Sequence, residues 1–382
     1  VADDAVAERV EAPLTVAPAV VDRTRLSWPD AAKAVCILLV VVGHVSYLLI
    51  EVPDPRWFVH AGSPHVWNAV DVLLRPVRMP LFFAVSGFFA ASALARPWAA
   101  TLRPRVGQNL YLHVLWLLIG FGVSVAVGID TYMAPPTARQ LPEALLTASY
   151  GLWYLFALAF YFLLARLTRS WPAWVPVALA AVLAVVSFTG VLPGDKDGDT
   201  HSVLENLVWF LAGARFPDTV RRLSARRRPV LALGLGALLV VVLVGLRFVH
   251  PPTVVQAFLE IPTRAGAVVV GVLVAVLFTS RFPRLTEPLL RLGRRTLPVY
   301  AFHGILLMVL QRPLADVAEP LFSRLPKLAV WGVVLAYPIV LTAAFTWLCL
   351  AFQTLTRRLG AGFLFALPAP PARRTVRPGA AQ

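Results

Sequence analysis

The sequence predicts an all-α polytopic membrane protein: a transmembrane helix bundle of about ten spans with both termini cytoplasmic. Three observations predict it. Of 382 residues, 58% are hydrophobic and only 14% charged, with a mean hydropathy of +0.73, whereas a soluble domain carries roughly a quarter charged residues. The apolar residues form continuous Leu/Val/Ala-rich runs without the alternation of barrel strands. In lipid only helices or closed barrels satisfy the backbone, so helices are selected. Finally, the charges partition. With the N-terminus inside and alternate loops assigned in turn, 25 of the 35 Lys and Arg fall inside and 10 outside, while the acids divide 8 inside and 12 outside. That is the positive-inside asymmetry, and it fits an even number of spans.

The apolar runs lie at 34–50, 79–95, 108–128, 151–167, 173–192, 203–216, 230–248, 264–280, 296–311 and 329–352. A full crossing takes about 20 apolar residues. Run 203–216 is short and contains Glu205 and Asn206, and run 296–311 is short and carries His303. Such segments are tolerated where they face other helices or a water-filled cavity. Residues 1–22 read as a disordered acidic tail, 23–355 as the membrane domain and 356–382 as a basic Pro/Ala/Arg-rich cytoplasmic tail. Residues 1–25 lack the apolar centre of a cleavable leader. Cys36 and Cys349 sit in apolar runs, suggesting neither a disulfide framework nor a metal site. The pI near 10.9 reflects topology and contact with anionic inner-leaflet lipid, with no nucleic-acid module.

Ionisable groups inside the bilayer need a reason. His44 closes the run Ala34-Val35-Cys36-Ile37-Leu38-Leu39-Val40-Val41-Val42-Gly43-His44. Eleven residues beyond Lys33 place it about 17 Å in, just past the midplane. It is either a packing histidine or a general base or acyl-accepting nucleophile, because imidazole titrates near neutrality. Gly43 permits close approach of a neighbour. Lys33 stands at the cytoplasmic mouth, as a snorkelling anchor or a functional cation, with Asp30 one turn away. Arg75 and Arg78 sit at the outer edge of the second run, where they either bind an anionic group or pair with Asp71 or lipid phosphate. Ser86-Gly87 lies further in, by default a packing contact. His303 is a second intramembrane histidine and His113 a weaker third. Glu205 is either an acid that orients a histidine or a polar helix start. Trp153, in Gly151-Leu152-Trp153-Tyr154, is either part of an interfacial belt or a stacking surface for a sugar. Asp195-Lys196-Asp197-Gly198-Asp199 lacks the downstream Glu of a calcium loop and reads as a polar external loop.

Four stretches then occur in order: Asp30-…-Lys33-…-Gly43-His44, Arg78-Met79-Pro80-Leu81-Phe82-Phe83-…-Ser86-Gly87-Phe88, Leu152-Trp153-Tyr154-Leu155, and Gly293-…-Leu297-…-Tyr300-…-His303. Over about residues 23–355 this resembles the acyltransferase 3 family of membrane O-acyltransferases, within it the group similar to fucose 4-O-acetylase. The resemblance implies transfer of an acyl group, commonly acetyl, from cytoplasmic acyl-CoA to a hydroxyl of a cell-envelope or exported glycan, or of a lipid-linked sugar. Many members carry Arg where this chain has Lys33, which keeps the charge but loses the bidentate fork.

The expected site follows. Lys33, Arg103, Arg105, Arg294 and Arg295 hold the CoA phosphates, and His44, with Lys33 and His303, carries the chemistry. Arg75, Arg78, Ser86, Trp153 and Glu205 line the acceptor, and no metal is involved. Both a covalent acyl-histidine and direct transfer fit. The competing reading is a transporter or flippase of an envelope precursor that moves its substrate without consuming CoA. A bacterial cytoplasmic membrane is the expected location.

Overall fold

The computed structural model describes residues 26–51, 55–60, 66–128, 133–135, 137–148, 150–192, 199–249 and 251–369. The predicted tail 1–22, most of the 195–199 loop and residues 370–382 lie outside them. Ten principal helices follow one another: α1 (Trp28–Ser46), α2 (Val66–Leu94), α3 (Gln108–Val127), α4 (Trp153–Leu167), α5 (Trp174–Phe188), α6 (Asp199–Arg215), α7 (Pro229–Val249), α8 (Thr253–Arg281), α9 (Thr296–Phe322) and α10 (Lys327–Arg358). Each predicted apolar run falls on one of them. Among the described residues seven helices are long and apolar enough to cross a membrane, namely all but α4, α5 and α6. The first two of those exceptions are apolar but only 15 residues each, and α6 has 17 residues with a polar start.

Several helices outrun their apolar cores. Helix α2 begins at Val66, so Arg75 and Arg78 lie well inside it and not at the edge of a span starting at 79. Asp71, one and two turns back, pairs with both, which leaves a single net positive charge on this stretch of helix. Pro76 and Pro80 lie within the same helix. Helix α3 closes on Gly128, whose φ of 66° is the left-handed conformation that a C-terminal cap favours and glycine adopts without strain. Helix α10 continues to Arg358, and the chain turns back beyond it. Phe365 is buried against Trp116 and Phe352, and the Trp116 indole donates to the Leu364 carbonyl at 2.7 Å. The start of the expected tail therefore packs on α3 and α10.

Helix α1 lies centrally, packed by α2, α8, α9, α10 and the short helix Pro283–Gly293. Helix α6 is enclosed by α2, α4 and α5. Its contact with α2 is backbone to backbone. A Cβ on Gly87 would lie 2.0 Å from the Phe210 carbonyl oxygen, and one on Gly213 would lie 2.1 Å from that of Ala84. Small residues at such a crossing let two helices approach without side chains between them. Enclosure explains why α6 needs so little hydrophobicity: its outer surface is other protein, not lipid. Helix α7 is the opposite case, almost unburied and apolar from Pro229 to Leu246, the composition of a lipid-facing helix.

Candidate active site

The two intramembrane histidines meet. His44, near the C-terminal end of α1, places Nδ1 2.8 Å from Nε2 of His303 on α9, with ring planes 6° apart. His303 is buried; His44 is half-buried. The Nδ1 of His303 faces the carbonyl oxygens of Val299 and Tyr300 at 2.8 and 2.9 Å. Carbonyls only accept, so this nitrogen carries the proton and donates to both. In the neutral ring Nε2 is then an acceptor, and the Nδ1–H of His44 donates to it. The hydrogen-bond chain thereby places the lone pair of His44 on Nε2, the atom a general base or nucleophile would use. One residue before His44, a Cβ on Gly43 would stand 2.9 Å from Nη1 of Arg78 and 3.0 Å from Oδ1 of Asp71. The Arg78–Asp71 ion pair rests directly on the α1 backbone here, and an added methyl would displace it. Arg78 and Asp71 are 15% and 19% exposed, while Arg75 reaches the same carboxylate at 3.3 Å from a more exposed position.

A second ring of polar contacts braces His303. Tyr300, one turn before it, takes the Tyr154 N–H on its hydroxyl oxygen and donates to the Gly151 carbonyl, both at 3.0 Å. That hydroxyl caps the start of α4, whose first N–H groups lack helical partners. Tyr154 shares a 2.9 Å hydroxyl contact with Ser86, and Ser86 also donates to the Phe82 carbonyl at 2.8 Å. A cavity of about 20 Å³, lined by Trp116, Met133, Gly151, Tyr300, His303 and Gly304, adjoins His303. A space of this size holds about one water.

The basic residues divide. Asp30, buried at 1% exposure, takes Lys33 at 3.1 Å and Arg294 at 3.3 Å. Gly293 packs against the Asp30 backbone, since a Cβ there would lie 1.9 Å from its carbonyl oxygen. Lys33 also lies 5.0 Å over the Phe89 ring, a cation–π contact. Two cations on one carboxylate leave this end of α1 net positive. The neighbouring Arg295 turns instead to α10, donating from Nε and Nη2 to Gln353 at 3.0 and 2.7 Å. Arg103 donates to the Pro368 carbonyl, and Arg105 is exposed on the π-helical turn Leu102–Gly107.

The remaining predicted residues each contact a neighbouring segment. Glu205 pairs with Arg264 at 3.3 Å; Arg264 also binds Glu260 at 2.8 Å and lies 4.4 Å over the Phe188 ring. The half-buried Trp153 ring packs on Phe83. His113 is buried with Nδ1 3.4 Å from the Leu152 carbonyl. Sequence reasoning did not single out Tyr154, Gln353 or Arg264 as partners. Arg264 had a usable signal, being a charge within an apolar helix.

A family model described as an acyltransferase domain, Acyl_transf_3, matches residues 26–352. The chain belongs to the acyltransferase 3 family. Membership makes it an O-acyltransferase. It is similar to inner membrane protein YcfT of Escherichia coli (strain K12), 26% identical over 371 residues that cover 90% of this chain and 97% of that protein. It is also similar to nodulation protein NolL of Mesorhizobium japonicum (strain LMG 29417 / CECT 9101 / MAFF 303099), 26% identical over 177 residues, 45% of this chain and 44% of the other. No solved structure matches. The family, its all-helical character and its multi-pass membrane nature agree with the sequence reading. All four ordered stretches that carried the resemblance lie within the matched region.

Proposed function

We propose that this acyltransferase moves an acyl group, acetyl by the family's habit, from cytoplasmic acyl-CoA to a hydroxyl of a cell-envelope or exported glycan. The observation that carries the chemistry is the histidine pair with its proton order. In this reading the Nε2 lone pair of His44 takes the acceptor hydroxyl proton as the oxygen attacks the thioester carbonyl carbon. The carbon–sulfur bond then breaks, and the departing thiolate takes the proton back from the imidazolium. The charge that develops on His44 is shared through its Nδ1–H to His303, whose own Nδ1–H is held by two carbonyls. This is the base-and-orienter logic of a catalytic triad, with imidazole in the place of the third-group carboxylate.

The orientation supports the donor side. Basic residues concentrate on the segments assigned to the cytoplasm, and Lys33 with Arg294 gives a positive patch eleven residues of helix from His44. CoA phosphates would meet that patch, with Arg103 and Arg105 contributing from the turn Leu102–Gly107. The acceptor would enter from the opposite side, toward Arg75, Arg78, Ser86 and Trp153, and the protein would reside in a bacterial cytoplasmic membrane through all ten helices.

The test is release of free CoA thiol by membranes supplied with acetyl-CoA, together with the mass of the cell's envelope glycans. A gain of one acetyl mass that depends on His44 supports the reading. Thiol release and glycan mass unaltered in H44A at equal expression would refute it.

A further inference from the structure

A groove of about 380 Å³ runs along the outer face of α10. Its floor is Trp347, Leu350 and Leu355, and the end nearer the C-terminus of α10 carries Arg295, Thr354 and Arg358. Trp347 is 67% and Leu355 53% exposed. The face is opposite to the one α10 turns into the bundle, where Phe345, Cys349, Gln353 and Thr356 are buried. From Trp347 to Arg358 the helix rises about 16 Å, half the hydrocarbon thickness. The groove therefore spans about the depth of one leaflet, largely apolar for the roughly 12 Å from Trp347 to Leu355 and doubly cationic at its end.

We propose that this groove binds one anionic diacyl phospholipid of the leaflet facing the basic ends of the helices. The headgroup phosphate would sit between Arg295 and Arg358, and one acyl chain would lie along Trp347, Leu350 and Leu355. Arg295 is prepared for this. Gln353 accepts from two of its nitrogens at 3.0 and 2.7 Å, which fixes the guanidinium plane and reserves the two N–H donors of the third nitrogen for a phosphate. Thr354 keeps its hydroxyl on the Leu350 carbonyl at 2.8 Å, leaving the floor apolar. An apolar floor at acyl-chain depth and arginines at headgroup depth match the two polarities of a lipid. Coenzyme A fits the groove poorly: the floor faces away from α1 and His44, so a thioester anchored there would point into the bilayer. The inference uses the membrane placement of α10 and is independent of the acyl-transfer mechanism.

The experiment is native mass spectrometry of the full chain in detergent micelles, titrated with phosphatidylglycerol or phosphatidylcholine. Wild type should retain one phosphatidylglycerol in preference to phosphatidylcholine. R295Q/R358Q should lower its occupancy about tenfold or more. R358Q alone, which leaves the Arg295–Gln353 contact in place, should give a smaller loss in the same direction. R226Q/R227Q, which removes the same charge from an exposed turn, should retain the lipid. Equal retention by wild type and R295Q/R358Q would overturn the proposal. So would an equal loss in R226Q/R227Q, or displacement of the lipid by added coenzyme A, which would make CoA the occupant.

Discussion

His303 determines which nitrogen of His44 is basic. Two backbone carbonyls hold the proton on Nδ1 of His303, so its Nε2 accepts at 2.8 Å from the Nδ1–H of His44. If His44 is the base, its replacement by Ala or Gln should lower kcat by about 10²–10⁴-fold. The orienting role of His303 separates from bulk packing through a pair of variants. H303A removes the acceptor and should lower kcat by about 10²-fold, whereas H303Q, whose amide oxygen reaches the same position, should recover part of that loss. Thiol-release kinetics on purified protein read both. Equal activity of H303A and H303Q would mean the ring only fills space.

Gly43 carries a sharper prediction, because helix propensity and site geometry oppose each other there. In an ordinary helix Gly→Ala stabilises by roughly 0.5–1 kcal/mol. At Gly43 the new methyl would stand 2.9 Å from Arg78 and 3.0 Å from Asp71, so the ion pair must shift off α1. G43A should fold and melt near the wild-type temperature while its turnover falls about tenfold or more, a cost of displaced groups near the reacting atoms. A thermal melt in detergent beside a turnover assay decides it.

Much of the fold was legible in the sequence, and the reason is physical. Lipid demands uninterrupted apolar helices, so the runs mark the helices directly. The ends were less legible. Run 79–95 belongs to a helix that starts at Val66, because Asp71 pairs with the two arginines within the helix, and hydropathy registers them only as polar. The site divides in the same way. His44 and His303 each stood out as ionisable residues in apolar runs, but their contact spans 259 residues of sequence and no local pattern encodes it. Arg295 and Arg294 are adjacent in sequence and reach different helices, a divergence that only the turn entering α9 decides.

Lys33 tests whether charge or fork geometry matters at the mouth of α1. It is held by Asp30 and by the Phe89 ring. If it meets a CoA phosphate, K33Q should raise KM for acyl-CoA about tenfold or more, the scale of one lost hydrogen bond to a charged group. K33R should stay within a few-fold of wild type, because charge is retained. An unchanged KM in K33Q, with normal expression, would confine Lys33 to anchoring the helix.

The crossing of α2 and α6 yields a stability prediction with an internal control. A Cβ on Gly87 or Gly213 meets a backbone carbonyl oxygen at 2.0 or 2.1 Å, and a backbone cannot rotate away as a side chain can. G87A and G213A should each destabilise by about 3 kcal/mol or more, the upper range for overpacking. The same change at Gly234, on lipid-facing α7 with nothing within 4 Å of the added methyl, should be neutral or stabilising by roughly 0.5–1 kcal/mol. Fluorescence-detected size exclusion after heating in detergent ranks the three. Because α2 also carries Ser86 beside Tyr154, separation of the two helices should reduce turnover in G87A even below its melting temperature, while G234A keeps full activity. Equal melting of G87A and G234A would show that the helices part at this crossing without cost, and the close backbone contact would then not be what encloses α6.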